Sequence, residues 1–288
     1  MDYLFHLVIL ISIYVILALS LNILIGFTGL FSLAQAAFFG IGAYASALLG
    51  LKLGFPFWAA GAVPILLAML IGVFLALITL RMGGDYFILA VLGFQIMISG
   101  VLYNWVSVTR GPFGLYGIPN PTLFGISISS NLRYLILFGL IGLASYGIIS
   151  RLLASPFGRV LKAIREDEMA VEVLGKNVVH FKIIVFAISS GFAALAGALH
   201  AYYFTALHPI SFTLNESILI VTIVILGGNG SLKGSVLGTI FLVLFPEALR
   251  FLNLPSDIAA PIQQAVYGFL LIFCMLFRPQ GLIGEYRL

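Results

Sequence analysis

Few side chains in the long apolar runs of this sequence could do chemistry, and nearly all of them are uncharged. Asn22, Thr28, Ser32 and Gln35 lie on and around the first two runs. Gln95 and Asn104 lie in the fourth, Ser189 and Ser190 in the sixth, and Thr222 in a short one. Amides and hydroxyls both donate and accept hydrogen bonds, so they suit transient solvation of a zwitterion or small neutral solute rather than bond cleavage. Asn22, Thr28, Ser32, Gln35 and Gln95 are the candidate lining of such a path. Each of them could also tie helices together. A buried amide is costly in apolar surroundings, which puts Gln35 and Gln95 first.

The residues of enzymatic chemistry do not assemble. No paired acids or Ser–His pair fall at a common depth in the runs, and the four His are scattered without metal-ligand spacing. Cys274 stands alone within YGFLLIFCMLF. The stretch GGNGSLKG (227–234) is glycine-rich but departs from the phosphate-binding pattern G-x-x-x-x-G-K-[ST]. No catalytic residue, cofactor or metal is therefore expected on this chain.

The elements that must position these residues follow from composition. The 288 residues are 62% hydrophobic and 8% charged, with a mean hydropathy of +1.18. A soluble domain carries about a quarter charged residues, so the expectation is an all-α polytopic membrane helix bundle. Continuous rather than alternating apolar runs exclude a β-barrel. The net charge of +4 is no sign of nucleic-acid binding, since in a bilayer the placement of Lys and Arg matters more. Spans of about 20 residues are predicted near 4–25, 30–50, 57–80, 86–107, 132–153, 182–205, 234–252 and 260–277. A ninth stretch, 216–226, is half a span long and runs into the glycine loop, as a half-helix or re-entrant element does. That gives about eight to nine membrane segments in one domain, 1–288. The start reads as a first spanning helix, because no basic region precedes the apolar run. Glu216 reads as a helix-start acid, and Glu247 with Arg250 as an interfacial ion pair.

One segment breaks the pattern. GRVLKAIREDEMAVEVLGKNVVHFK (158–182) holds nine of the chain's 24 charged residues. Its basic residues place it in the cytoplasm, with Arg81, Lys233, Arg278 and Arg287 on the same side. Lys52, Arg110 and the Gly/Pro/aromatic loop 108–131 fall outside, where the loop reads as a folded cap or a docking surface for an external partner. Ser155 and Pro156 predict a helix start, and Phe157, Val160, Leu161 and Ile164 give it one apolar face. Glu166, Asp167 and Glu168 suit the first turn of a second helix, which runs through Met169, Ala170, Val173 and Leu174 and stops at Gly175. Asn177 is positioned to cap the next span. Two helices this short need a surface to pack on.

Longer stretches add a resemblance. NILIGFTGLFSLAQAAFFGIGAYASALL (22–49), AIREDEMAVEVLGKNVVHFK (163–182), SGFAALAGALHA (190–201), ILGGNGSLKGSVLG (225–238) and YGFLLIFCMLFRPQGLIG (267–284) resemble the permeases of branched-chain amino-acid ABC importers, the LivM type, in order and spacing over nearly the whole chain. Gln35 stands where that pattern suggests His, and Lys233 where it suggests an aromatic residue. Ala170 and Val171, followed by Glu172, Val173, Leu174 and Gly175, form a variant of the Ala-Ala–x3–Gly core of the coupling motif.

The resemblance implies a permease that docks on ATPases through a coupling loop at 154–181, with Glu166, Asp167, Glu168, Ala170, Val171, Glu172, Val173, Leu174 and Gly175 at the contact. It implies as partners two cytoplasmic ATPase subunits, a second homologous permease and an extracytoplasmic substrate-binding protein, in the cytoplasmic (inner) membrane of a bacterium or archaeon. Leucine, isoleucine and valine are the implied cargo, with urea or short amides as the alternative. An ion-coupled carrier would need mid-span acids or His, which are nearly lacking. No Lys or Arg sits mid-span to hold a carboxylate, so specificity is expected mainly in the binding protein.

Overall fold

Backbone groups in hydrocarbon must find partners within their own segment, and the apolar runs accordingly become helices. The computed structural model describes residues 2–82, 84–123, 126–128, 130–250, 256–277 and 280–283. Twelve helices run through them. These are α1 (Asp2–Thr28), α2 (Gln35–Leu53), α3 (Phe57–Thr79), α4 (Gly84–Asn104), α5 (Val106–Thr109), α6 (Asn131–Ala154), α7 (Pro156–Glu166), α8 (Glu168–Val173), α9 (Val178–Phe204), α10 (Leu214–Gly227), α11 (Leu232–Arg250) and α12 (Ser256–Phe277). Among the described residues, α1, α2, α3, α4, α6 and α9 are long and apolar enough to cross a membrane. The half-helix α10 and the helices α11 and α12 complete the bundle. Arg278 and Arg287 lie outside the described residues, as does the side chain of Arg250.

The bundle is built around α1 and α9. Every residue from 15 to 28 of α1 is buried, under α6, α9, α10 and α11. α9 packs against α2 and α3. Small residues let backbones approach this closely. A Cβ on Gly197 would overlap the Phe39 carbonyl, and one on Gly42 would overlap that of Ala194. The small-residue pairs Ala43/Ala47, Ala193/Gly197 and Ala194/Ala198 are all buried in α2 and α9.

Two spans are interrupted, from opposite faces. The second helix does not begin at 30 as its hydropathy suggests, but at Gln35. Gly29, at φ 72°, turns the chain out of α1, and Leu30 N–H closes on the Leu24 carbonyl at 3.0 Å. Residues 29–34 then run without helix into the start of α2. On the other face, α9 ends at Thr205 in the left-handed region, φ 53°. The chain passes through a two-residue strand, β4 (Ala206–Leu207), and a 3-10 turn (Pro209–Phe212) before α10 begins. The predicted half-helix is thus real, with an irregular approach before it as well as the glycine loop after it.

The loop after α4 folds as a cap. β1 (Leu115–Tyr116) pairs antiparallel with β4, Ile118 N–H bonds the Thr205 carbonyl at 3.3 Å, and Leu115, Ile118 and Ile128 are buried. A second small pair joins β2 (Thr122–Leu123) to β3 (Ile126–Ser127).

Candidate functional site

A helix that starts inside a bundle has backbone N–H groups with no intrahelical partner. At α2 these are met by side chains from two other helices. Gln95 Oε1 accepts the Ala37 N–H at 2.6 Å and the Ser217 hydroxyl at 3.3 Å. Ser217 Oγ accepts the Ala36 N–H at 3.0 Å. Gln95 Nε2 donates to the Phe212 carbonyl and to Ser99 Oγ, both at 3.1 Å. All four hydrogen-bonding positions of the Gln95 amide are used. One side chain thereby ties the interrupted start of α2, the turn before α10, and α4.

A second tie lies beside it. Gln35 Nε2 donates to the Ser20 hydroxyl and to Ser189 Oγ at 3.4 Å, and Ser189 donates to the Ser20 carbonyl at 2.7 Å. A third holds the glycine loop to α1. Asn22 Nδ2 donates to the Ser231 carbonyl at 3.0 Å and Ser235 Oγ at 2.7 Å, while its Oδ1 accepts the Gly230 N–H at 3.1 Å. The glycine loop is therefore a tight reversal. Gly227 and Gly234 approach so closely that a Cβ on either would overlap the other's carbonyl.

Of the five residues read as path lining, Asn22, Gln35 and Gln95 serve in these ties. Thr28 bonds the Leu24 carbonyl at 2.6 Å, and Ser32 Oγ accepts the Ala34 N–H at 3.4 Å. All five are at most 2% exposed, so this conformation is closed over them. Glu216 does more than start a helix, because its carboxylate accepts the Tyr14 hydroxyl at 2.6 Å. Glu247 accepts the Tyr3 hydroxyl.

The charged segment is the other half of the site. α7 buries Leu161 and Ile164. Ser155 holds the N-cap position but makes no cap bond, and its hydroxyl donates back to the Leu152 carbonyl at 2.6 Å. Of the three acids, Asp167 caps α8, accepting the Ala170 N–H at 3.1 Å. At the far end Gly175 sits at φ 76°, with Gly175 N–H on the Glu172 carbonyl and Lys176 N–H on the Val171 carbonyl. This is the Schellman closure that glycine favours. Asn177 caps α9 by accepting the His180 N–H at 3.0 Å, so that span starts at 178 rather than 182.

A single apolar residue of α8 turns inward. Val171 joins Ile164 and Val178 in a small cluster. Met169, Val173 and Leu174 point out, exposed by 76%, 87% and 78%, and Ala170 is exposed beside them. The charges fix the orientation of this edge. Glu168 pairs with Lys182, Arg165 donates to the Gly26 carbonyl at the end of α1, and Lys162 stands over the Phe27 ring at 5.5 Å. A cavity of about 280 Å³ lies between Glu168, Lys182, Gly29, Phe31, Leu80 and Asp85. The charged segment therefore abuts the 29–34 interruption directly, and the turn with Arg81 shares its face. Lys233 lies on that face too, beside Lys162 across a cavity of about 470 Å³.

Residues 3–275 match the family model described as branched-chain amino acid transport system / permease component. The chain belongs to this permease family. It is 36% identical over 96% of its length, and 68% of the relative's, to the high-affinity branched-chain amino acid transport system permease protein LivM of Escherichia coli (strain K12). It is 26% identical to LivH of the same organism, over 95% of this chain and 92% of the relative. A probable LivM of Methanocaldococcus jannaschii is 31% identical over 60% of this chain and 53% of the relative. No solved structure matches. The permease is a multi-pass membrane protein and a transport subunit rather than an enzyme. Ser20, Ser99 and Ser217, which complete its ties, were not singled out by the sequence, and neither was the role of Arg165. An arginine following the apolar face of a surface helix reads as solvated until the end of α1 is seen beneath it.

Proposed function

We propose that this permease carries leucine, isoleucine and valine across the cytoplasmic membrane of a bacterium or archaeon as one of two membrane halves of an ABC importer. ATP hydrolysis resides on two cytoplasmic ATPases, and an extracytoplasmic binding protein delivers the cargo. The family supports the cargo and the class of machine. The observation that carries the coupling mechanism is the exposed edge Met169, Val173 and Leu174, held between the Asp167 cap and the Gly175 closure. That edge is a rigid apolar knob, which is what a groove on a soluble partner would receive.

The mechanism follows the contacts inward. Movement of α8 by the ATPase is passed through α7 to Arg165 and so to the Gly26 carbonyl. From there it reaches the 29–34 interruption and the start of α2. The amide ties of Gln35 and Gln95 then exchange partners, because a hydrogen bond to one polar group can be traded for another at little net cost. The 1–288 chain acts as one membrane domain, with 154–181 as its lever. Reconstitution in proteoliposomes with the ATPases, second permease and binding protein tests this reading. ATP-dependent leucine uptake, competed by isoleucine and valine, is expected. Competition by urea or acetamide instead would transfer the cargo to that class. Uptake that follows a proton gradient without ATP would refute the reading.

A further inference from the structure

The turn before α10 and the first turn of α10 lie deep in the bundle. Three contacts fix their level. Glu216 meets Tyr14, the thirteenth of 27 residues in α1. Phe212 meets Gln95, the twelfth of 21 in α4. Ser217 meets Ala36 at the interrupted start of α2. At this depth Ser211 and Asn215 are nevertheless exposed. Ile210 and Ile218 flank them, 65% and 37% exposed. Asn215 and Ile218 are one helical turn apart on α10, and Ile210 and Ser211 lie in the 3-10 turn that leads into it. On α12, which packs against α10, Gln264 is exposed one turn before the buried Tyr267.

Lipid cannot face such a surface. Hydrocarbon offers no partner to an amide, and non-helical backbone at membrane depth occurs only where protein or a water-filled cavity covers it. Gln95 uses all four of its hydrogen-bonding positions internally, and the buried amides of Asn22 and Gln35 are tied to neighbouring elements. The turn and α10 instead carry exposed polar groups at mid-membrane level. We infer that Ser211, Asn215 and Ile218 line the substrate path at mid-membrane, on the reading of the chain as an amino-acid importer. The Asn215 amide, both donor and acceptor, meets the ammonium and carboxylate of the amino acid. Ile210 and Ile218 receive its branched side chain.

The test uses the full transporter in membranes and a charged, membrane-impermeant methanethiosulfonate, which reacts only where water reaches a thiol. The parent chain, whose single Cys274 is buried, gives the background. Asn215→Cys and Ser211→Cys are expected to label, and leucine to slow labelling of Asn215→Cys. Leu140→Cys, on the outer face of α6 and 61% exposed, should stay unlabelled. Asn215→Leu should raise the KM for leucine uptake about three- to tenfold, the worth of one hydrogen bond, with the Kd for the ATPases unchanged. If Asn215→Cys is as inert as Leu140→Cys, if leucine does not slow its labelling, or if Asn215→Leu keeps the parent KM, the assignment is overturned. Failure of the importer reading would show separately, as absence of ATP-dependent leucine uptake by the unsubstituted complex.

Discussion

Leu174→Asp tests whether the exposed edge of α8 is a docking surface. Leu174 is 78% exposed in the free chain. Complete burial of such a side chain contributes about 1.5–3 kcal/mol, so covering this one contributes about 1.2–2.3 kcal/mol at most. Every 1.4 kcal/mol is tenfold in Kd, and loss of that burial alone weakens ATPase binding about 7- to 50-fold. The unpaired carboxylate carried into an apolar groove adds a further penalty, so Leu174→Asp should weaken binding by at least about tenfold. The isolated permease should be indifferent, because exposed substitutions stay within about 0.5 kcal/mol. Titration of the ATPase subunits against the permease in nanodiscs measures the Kd, and a thermal melt of the permease alone supplies the control. An unchanged Kd, with the permease folded, would refute the reasoning, since no other apolar group on α8 is better placed than Met169, Val173 and Leu174.

Other expectations follow from the same contacts. Gly175→Pro should abolish ATPase association in detergent while the bundle stays folded, because proline cannot adopt the φ of 76° found there, and Ala170→Arg should do the same by placing a charge on the exposed edge. Arg165→Ala should leave ATP hydrolysis by the complex intact but lower leucine uptake per ATP in proteoliposomes about fivefold or more, the usual size of a coupling term. Equal coupling ratios would show that the Gly26 carbonyl is not on the route. Gln95→Leu strands the Ala37 N–H and loosens the ties to Ser217 and the Phe212 carbonyl. At about 1–3 kcal/mol per stranded group, it should lower the thermal midpoint of the detergent-solubilised chain by several degrees, and an unchanged melt would mean the amide is not the hub.

The fold was largely legible because hydropathy in a bilayer is a direct physical signal. Runs long enough to span became helices, and the caps at Asn177 and Gly175 stand where their residue types suggest. The two short helices of the charged segment were legible for the same reason, since an amphipathic stretch of eleven residues (α7) stands out against uniformly apolar neighbours. Their inward and outward sides were harder. Val171 faces the bundle while Val173 and Leu174 do not, a choice made by the Ile164–Val178 contact rather than by hydrophobicity. The interruption at 29–34 escaped because Leu, Phe and Ala continue the apolar pattern. Only Gly29 hints at the break, and a glycine in a membrane helix is common. The turn at 205–213 escaped because its anchors, Gln95 and Ser99, lie more than a hundred residues away in sequence. Polar residues in the spans were visible by type, but whether each faces a neighbour or a passage depends on tertiary contacts.

The opposed interruptions have an electrical consequence. α2 and α10 both begin at the Gln95 hub, and the start of a helix acts as about half a positive charge. Two such ends meet at mid-membrane, where the dielectric is low and no Lys or Arg is present. Glu216, in the first turn of α10, sets an acidic group against one of these positive ends and holds Tyr14 there. The interruption thus carries its own counter-charge, and a zwitterion passing at this level meets an acid and two helix starts that offset one another.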